Sequence, residues 1–273
     1  MTVSQEREKM LKRFITDIRK NFHYAVYSAK AELKAEVAGS YLNWIWWILE
    51  PICLMLIYTL IFGYVFNASE QYFTVFIFIG ISLWDFFSRN LKNSVKMVKK
   101  NKPIVTKVYI PKFILILSKM MVNGFKMMVS FGIVVLMMII YRIPVSINLI
   151  YIIPLMIDVF LLCFGIMCIL LHFGVYVEDL ANVVDIALKL MFYLTGIFYS
   201  IDTRIGKRYP LMAAILGKAN PMAYIITGFR KCLIYCERPS LRVMALWFVL
   251  SLFICVIGVR TIYKNENSYV KVI

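Results

Sequence analysis

Histidine is almost missing: His23 and His172 are the only two in 273 residues. That scarcity argues against a histidine metal cluster and against a Ser-His-Asp triad. The six cysteines form no Cys-x-x-Cys pair, and most fall in apolar runs, so they read as small buried hydrophobes rather than a disulfide or metal framework. The phosphate cradle Gly-x-x-x-x-Gly-Lys-Ser/Thr does not occur; Gly206-Lys207 and Gly217-Lys218 are followed by Arg and Ala. The chain therefore has no P-loop of its own. No carboxylate pair marks a membrane-face transferase site; Glu178-Asp179 comes nearest and reads as a solvated loop. The opening residues MTVSQEREKMLKRF lack an apolar core with a small-residue cleavage site, so no cleaved signal peptide is expected. Acidic residues are scarce, 15 against 31 Lys and Arg, and none lies between 88 and 112.

Apolar side chains are what the sequence has in excess, at 62%, well above the roughly 45–50% of soluble domains. Residues 44–66 are 23 positions whose only ionisable side chain is Glu50. A helix needs roughly 20 apolar residues to cross a bilayer core of ~30 Å. With no water there, an unbroken helix satisfies the backbone. Further apolar runs at 72–87, 113–140, 147–171, 183–199 and 243–259 bring the expected crossings to six. The run at 72–87 is short and is expected to continue as helix into the polar segment beyond. The predicted fold is an all-α, polytopic membrane protein. Residues 1–43 form a cytoplasmic interface segment, 44–262 the transmembrane domain and 263–273 a cytoplasmic tail.

Charge sets the orientation. Residues 88–112 carry eight basic groups and no acid, which the positive-inside rule places in the cytoplasm. Even crossing numbers then put both termini there. Ahead of the first span, Leu11, Phe14, Ile15, Ile18, Phe22, Val26 and Ala29 recur at helical spacing, with Lys12, Arg13, Asp17, Arg19 and Lys20 opposite. This is a basic amphipathic helix, suited to the headgroup plane or to a protein partner. The excess charge, +16, sits beside apolar spans, so anionic lipid is a better partner than nucleic acid. One region fits poorly: 201–242 is outside by this count yet basic, with two apolar pieces at 211–216 and 222–235 separated by Asn220-Pro221. Pieces of that length re-enter or lie at the interface more often than they cross; a crossing by 222–235 is the alternative.

Besides Asp85 in the second span and Asp185 and Lys189 in the fifth, four charged groups fall inside spans: Glu50, Lys119, Lys126 and Asp158. Glu50 and Lys119 stand at matching depth, roughly 9 Å in at ~1.5 Å per residue, and Lys126 and Asp158 match across consecutive helices. Two pairs, Glu50–Lys119 and Lys126–Asp158, are the expectation, either as structural ties or along a polar path. Asp185 precedes Lys189 by four, the favourable order for a helical ion pair.

Four stretches together resemble one family. They are 40–51 (SYLNWIWWILEP) running into 58–63 (YTLIFG), 101–111 (NKPIVTKVYIP), 178–180 (EDL) to 196–199 (GIFY), and 220–222 (NPM) to Phe229-Arg230. Their order and spacing are similar to the membrane permeases of ATP-binding-cassette exporters for polysaccharides and teichoic acids, the O-antigen exporters among them. Thr195-Gly196 and Glu178 depart from the family's usual Ser-Pro and basic residue. The resemblance implies a homodimer of permeases with two cytoplasmic ATPase subunits that hold ATP and Mg; this chain holds no cofactor or metal. It implies two re-entrant outer helices between the fifth and sixth spans, in the cytoplasmic membrane of a bacterium. The expected cargo is a lipid-linked glycan.

Under that resemblance the docking segment contains Lys99, Lys100, Asn101, Lys102, Lys107, Tyr109 and Pro111. Tyr58, Phe62, Phe66, Phe192, Tyr193 and Phe198 are candidates to line a pore, because rings pack on sugar C–H faces; lipid-facing or core packing is the other reading. Arg19, Lys30 and Lys34 are candidates to receive a lipid pyrophosphate, or ordinary headgroups. Tyr199, Asn220, Pro221 and Arg230 belong to an outer gate. A permease for a drug or small lipid, a membrane-embedded lipid-sugar transferase and a structural scaffold are the alternatives.

Overall fold

The computed structural model describes residues 3–39, 41–65, 70–206 and 209–272, and every regular element among them is helical. Helix α1 (Val3–Val37) leads to α2 (Trp46–Tyr58), which continues without a break as a π-helical stretch, Thr59–Val65. Helix α3 (Phe73–Val95) returns and is followed by two single turns, α4 (Met97–Lys100) and α5 (Lys102–Val105). Helices α6 (Lys112–Ile140), α7 (Ile152–Tyr176) and α8 (Leu180–Leu194) follow. The short α9 (Ile201–Arg204), α10 (Pro210–Ala219) and α11 (Pro221–Leu233) precede the long α12 (Leu241–Val272).

Four stretches among the described residues are long and apolar enough to cross a membrane: Asn43–Val65, Lys112–Ile140, Ile147–Tyr176 and Leu241–Glu266. The second and fifth expected spans exist as α3 and α8 but lie outside this set. Helix α3 is apolar to Phe87 and then carries Arg89, Asn90, Lys92 and Asn93; it does run on into the polar segment, so Arg89 and Lys92 are helical rather than part of a loop. Helix α8, at 15 residues, is about 22 Å long at ~1.5 Å per residue. It stops at Leu194, five positions short of the expected 199, because Gly196 turns the chain with φ +69°, a conformation that only glycine adopts cheaply.

Helix α3 is the centre of the core. Val75, Phe76, Ile77, Phe78, Ile79 and Leu83 are all buried, and it packs on α6, α7, α8 and α11. Helices α7 and α12 approach so closely that a Cβ at Gly165 would meet the Cys255 backbone nitrogen at 2.6 Å. Small residues allow such contact where both helices are too apolar to gain from burial alone. Cys163, Cys168, Cys232 and Cys255 are buried, as expected of small hydrophobes, while Cys53 is exposed.

The N-terminal helix buries only part of its predicted apolar face. Phe14 and Ile18 pack on the core and Ala25 and Ala29 are buried, but Ile15 and Phe22 are half exposed. The apolar stripe is split because α1 lies against α6, which takes only the narrow side where small residues let the helices meet.

Candidate functional site

Three groupings on this scaffold carry chemistry. The first is the ion-pair set of the first apolar helix and the helices beside it, and it overturns both expected pairs. Glu50 bonds Arg89 at 2.8 Å, and Arg89 also holds Asp85 on its own helix at 2.7 Å. Lys119 pairs with Glu32, and Lys126 pairs with Glu36 at 2.7 Å. Depth matching chose wrong partners because α1 lies beside α6 and delivers two carboxylates four residues apart. Asp158 faces α12 instead, where Ser251 donates to it at 2.5 Å. The predicted Asp185–Lys189 pair is present at 2.8 Å, and Lys92 of α3 adds a third member at 2.5 Å. Glu32 and Glu36 could have been found from the sequence only by knowing that α1 packs on α6, and the Glu50–Arg89 bond only by knowing that α2 packs on α3; Asp85 and Arg89, four apart on one helix, carry the same spacing signal as Asp185 and Lys189.

The second grouping gathers most of the expected pore and gate residues at the end of α8. Phe62 stacks on Phe198 with centroids 4.1 Å apart and planes at 14°. Tyr58 and Phe192 each meet Phe198 at 5.2 Å, and Trp84, not anticipated, meets Phe192 at 5.7 Å. Tyr193 touches Phe192 at its edge but is largely exposed. Phe66 lies outside the described residues. The rings therefore pack on one another and join the π-helical end of the first span to the turn after α8.

That turn is held from α11. Asn220 caps α11, accepting from the backbone of Met222 at 3.1 Å and Ala223 at 3.3 Å, and donates to Thr195 Oγ1 at 3.1 Å. Pro221 occupies the first turn of α11, where its missing N–H costs nothing. Tyr199 donates back to the Tyr193 carbonyl at 2.9 Å. Arg230 is buried and donates to the carbonyls of Phe76 (3.0 Å), Gly196 (2.9 Å) and Ile197 (2.7 Å), with its guanidinium 3.4 Å from the Phe76 ring centroid. A planar fork suits several acceptors at once, and its flat face suits the ring. Gly80 makes room: a Cβ there would come within 2.7 Å of Arg230 Nη2. The four gate residues thus meet at one turn, together with Thr195 and Gly196, the positions that depart from the resembled family.

The third grouping is the lysine-rich segment. Residues 102–109 form a knuckle whose surface is Ile104, Val108 and Tyr109, all exposed, among Lys102 and Lys107. Lys99 is turned away and bonds Glu178 at 2.7 Å, tying α4 to the α7–α8 connection. Lys99's ammonium holds the Glu178 carboxyl below the usual range, first through the hydrogen bond and then through charge. Pro111 is buried and starts α6. Arg13 donates to Tyr109 at 3.0 Å and to Glu266 at 2.6 Å, so the knuckle's far end is fastened to α1 and α12. Lys100 is exposed and Asn101 half buried. Arg19, Lys30 and Lys34 are exposed along α1 and are not brought to a common site.

A model of the ABC-2 type transporter family matches residues 26–234. The chain belongs to the ABC-2 type transporter family. An ABC-2 membrane protein is a transport subunit, not an enzyme, and works with an ATPase subunit. Similar proteins include two named O-antigen export system permease protein RfbA from Klebsiella pneumoniae. One is 25% identical over 210 residues, 77% of this chain and 79% of the relative; the other is 24% identical over 211 residues, 77% and 80%. A third of that name, from Myxococcus xanthus, is 25% identical over 200 residues, covering 73% and 75%. The family match takes in most of all three groupings, from the C-terminal part of α1 through α11, with Arg13, Ser251 and Glu266 beyond it, and makes this ABC-2 permease a multi-pass membrane protein.

Proposed function

We propose that this permease is the transmembrane subunit of an ATP-driven exporter moving a lipid-linked polysaccharide or a teichoic-acid-type polymer outward across a bacterial cytoplasmic membrane. The observation that carries the cargo class is the likeness, over three quarters of the chain, to O-antigen export permeases. Two copies assemble, with the exposed faces of α2 and its π-helical end (Leu56, Ile57, Leu60) and of α8 (Ile186, Leu190, Tyr193) available to a second copy as well as to lipid. Each copy crosses six times with both termini cytoplasmic. The α10–α11 pair re-enters from outside, which fits their lengths of 10 and 13 residues. Helix α1 lies at the inner interface.

The 99–111 segment receives the ATPase, whose ATP and Mg supply the power. An exposed apolar centre with a lysine rim is the composition of a protein docking surface. Movement there reaches α1 and α12 through Arg13. The aromatic group Tyr58–Phe62–Phe192–Phe198 lines the outer part of the path when the turn at 195–199 opens, and rings make few directional bonds to a sliding sugar chain. Arg19, Lys30 and Lys34 face the headgroups from which a pyrophosphate-linked cargo arrives. The test is stimulation of the copurified ATPase: lipid-linked glycan should raise its hydrolysis rate, whereas stimulation by a small amphiphile and not by glycan would assign a drug or small-lipid cargo instead.

A further inference from the structure

A cavity of about 230 Å³ lies where α1, the end of α3, α4 and α6 meet. That is far above the roughly 10–15 Å³ a single water requires. Its walls mix polar side chains, Ser28 from α1, Asn93 from α3, Lys100 and Asn101 from the docking segment and Ser118 and Lys119 from α6, with the apolar Met97 and Leu115; Asn101 already donates one amide hydrogen to the Met97 carbonyl at 2.8 Å. Ser118 is 4% exposed, and its hydroxyl is buried with no hydrogen-bond partner among the described residues. A buried hydroxyl normally has a partner, so Ser118 keeps unused bonding capacity at the cavity wall.

The charge balance says which kind. Glu32 also lines the cavity but is taken by Lys119, and Glu178 takes Lys99 outside it. Lys100 is left as a cation with no acid partner among the described residues. With Glu32 at −1 and Lys100 and Lys119 at +1 each, the walls carry +1. Of the eight basic groups in 88–112, Arg89, Lys92 and Lys99 are paired with acids, so it is Lys100 and the +1 of the walls that favour an anion. Hydroxyls, amides and ammonium groups converging from four elements suit an oxyanion with several acceptor atoms.

We propose that this cavity binds a phosphate group, carried by a lipid headgroup or free in solution, at the cytoplasmic side. This deepens the export reading and rests on it for its purpose: a ligand touching Lys100 and Asn101 contacts the segment that receives the ATPase, so occupancy is sensed where power is delivered. Arg19, Lys30 and Lys34 do not line the cavity.

The test uses the purified full chain. Its thermal unfolding is followed in neutral detergent with increasing inorganic phosphate at constant ionic strength, and in phosphatidylcholine nanodiscs with and without phosphatidylglycerol. A bound ligand raises the melting temperature with its concentration. Ser118→Ala should melt like the parent without ligand, since its hydroxyl has no bond to lose, yet need about tenfold more ligand for the same rise. Asn93→Ala should weaken the response similarly. A rise with inorganic phosphate assigns a soluble source; a rise only with phosphatidylglycerol assigns a lipid. No rise in either arm, or a rise that both variants leave unchanged, overturns the site. Glycan-stimulated ATPase activity is measured separately, so that reading can stand if the site falls.

Discussion

Arg230 offers the sharpest perturbation. Its side chain is 3% exposed and brackets the carbonyls of Gly196 and Ile197, which lie beyond the last helical residue of α8 and have no other partner in the described backbone. Arg230→Lys keeps the charge but replaces a fork by a point donor. At least one of the two buried carbonyls is then left unpaired, at about 1–3 kcal/mol. Applied to opening of the 195–199 turn, this is a roughly 5- to 150-fold rise in the open population. Gly80→Ala should do the same without altering Arg230, because its Cβ would sit 2.7 Å from Nη2. The assay is maleimide labelling of Ile197→Cys, a buried position, in a background with Cys53 and Cys236 replaced by Ser. Labelling in both variants at the parent rate would refute the clasp.

Other expectations follow from the remaining groupings. Replacing Lys99, Lys100 and Lys102 with Glu should weaken ATPase association in copurification; unchanged association counts against docking there. A double-mutant cycle of Phe62→Ala and Phe198→Ala should give a coupling of about 0.5–1.5 kcal/mol in unfolding, and zero coupling would deny the stack. Lys119→Glu should lower the melting temperature, and the added Glu32→Lys should restore much of it; failure of the swap would mean the pair is not formed. The depressed Glu178 carboxyl gives a stabilising contribution present above its unfolded value of 4.5 and lost as pH falls through its folded value. Glu178→Gln should therefore flatten the acid side of the melting curve against pH; an identical acid limb in both proteins rules that contribution out.

Local chemistry was legible in the sequence wherever it acts along one helix. The Asp185–Lys189 pair and the extension of α3 past Phe87 both depend on patterns within a few residues. The gate candidates were named through resemblance, not through spacing, since nothing in the pattern brings Arg230 to Phe76. Partners across helices were not legible. Glu50 and Lys119 match in depth, but depth says nothing of azimuth, and α1 beside α6 supplied closer acids. Trp84 and Gly80 gave no signal because a tryptophan and a glycine in an apolar run look like any other core positions until α8 and α11 are placed.

The central claim is that this permease moves its cargo only when a partner burns nucleotide. It is tested most directly in vesicles holding the permease with or without the ATPase, by the arrival of lipid-linked glycan on the far side. Transport should require both the ATPase and ATP. Transport by the permease alone under an ion gradient, or hydrolysis of ATP by the permease alone, would contradict it.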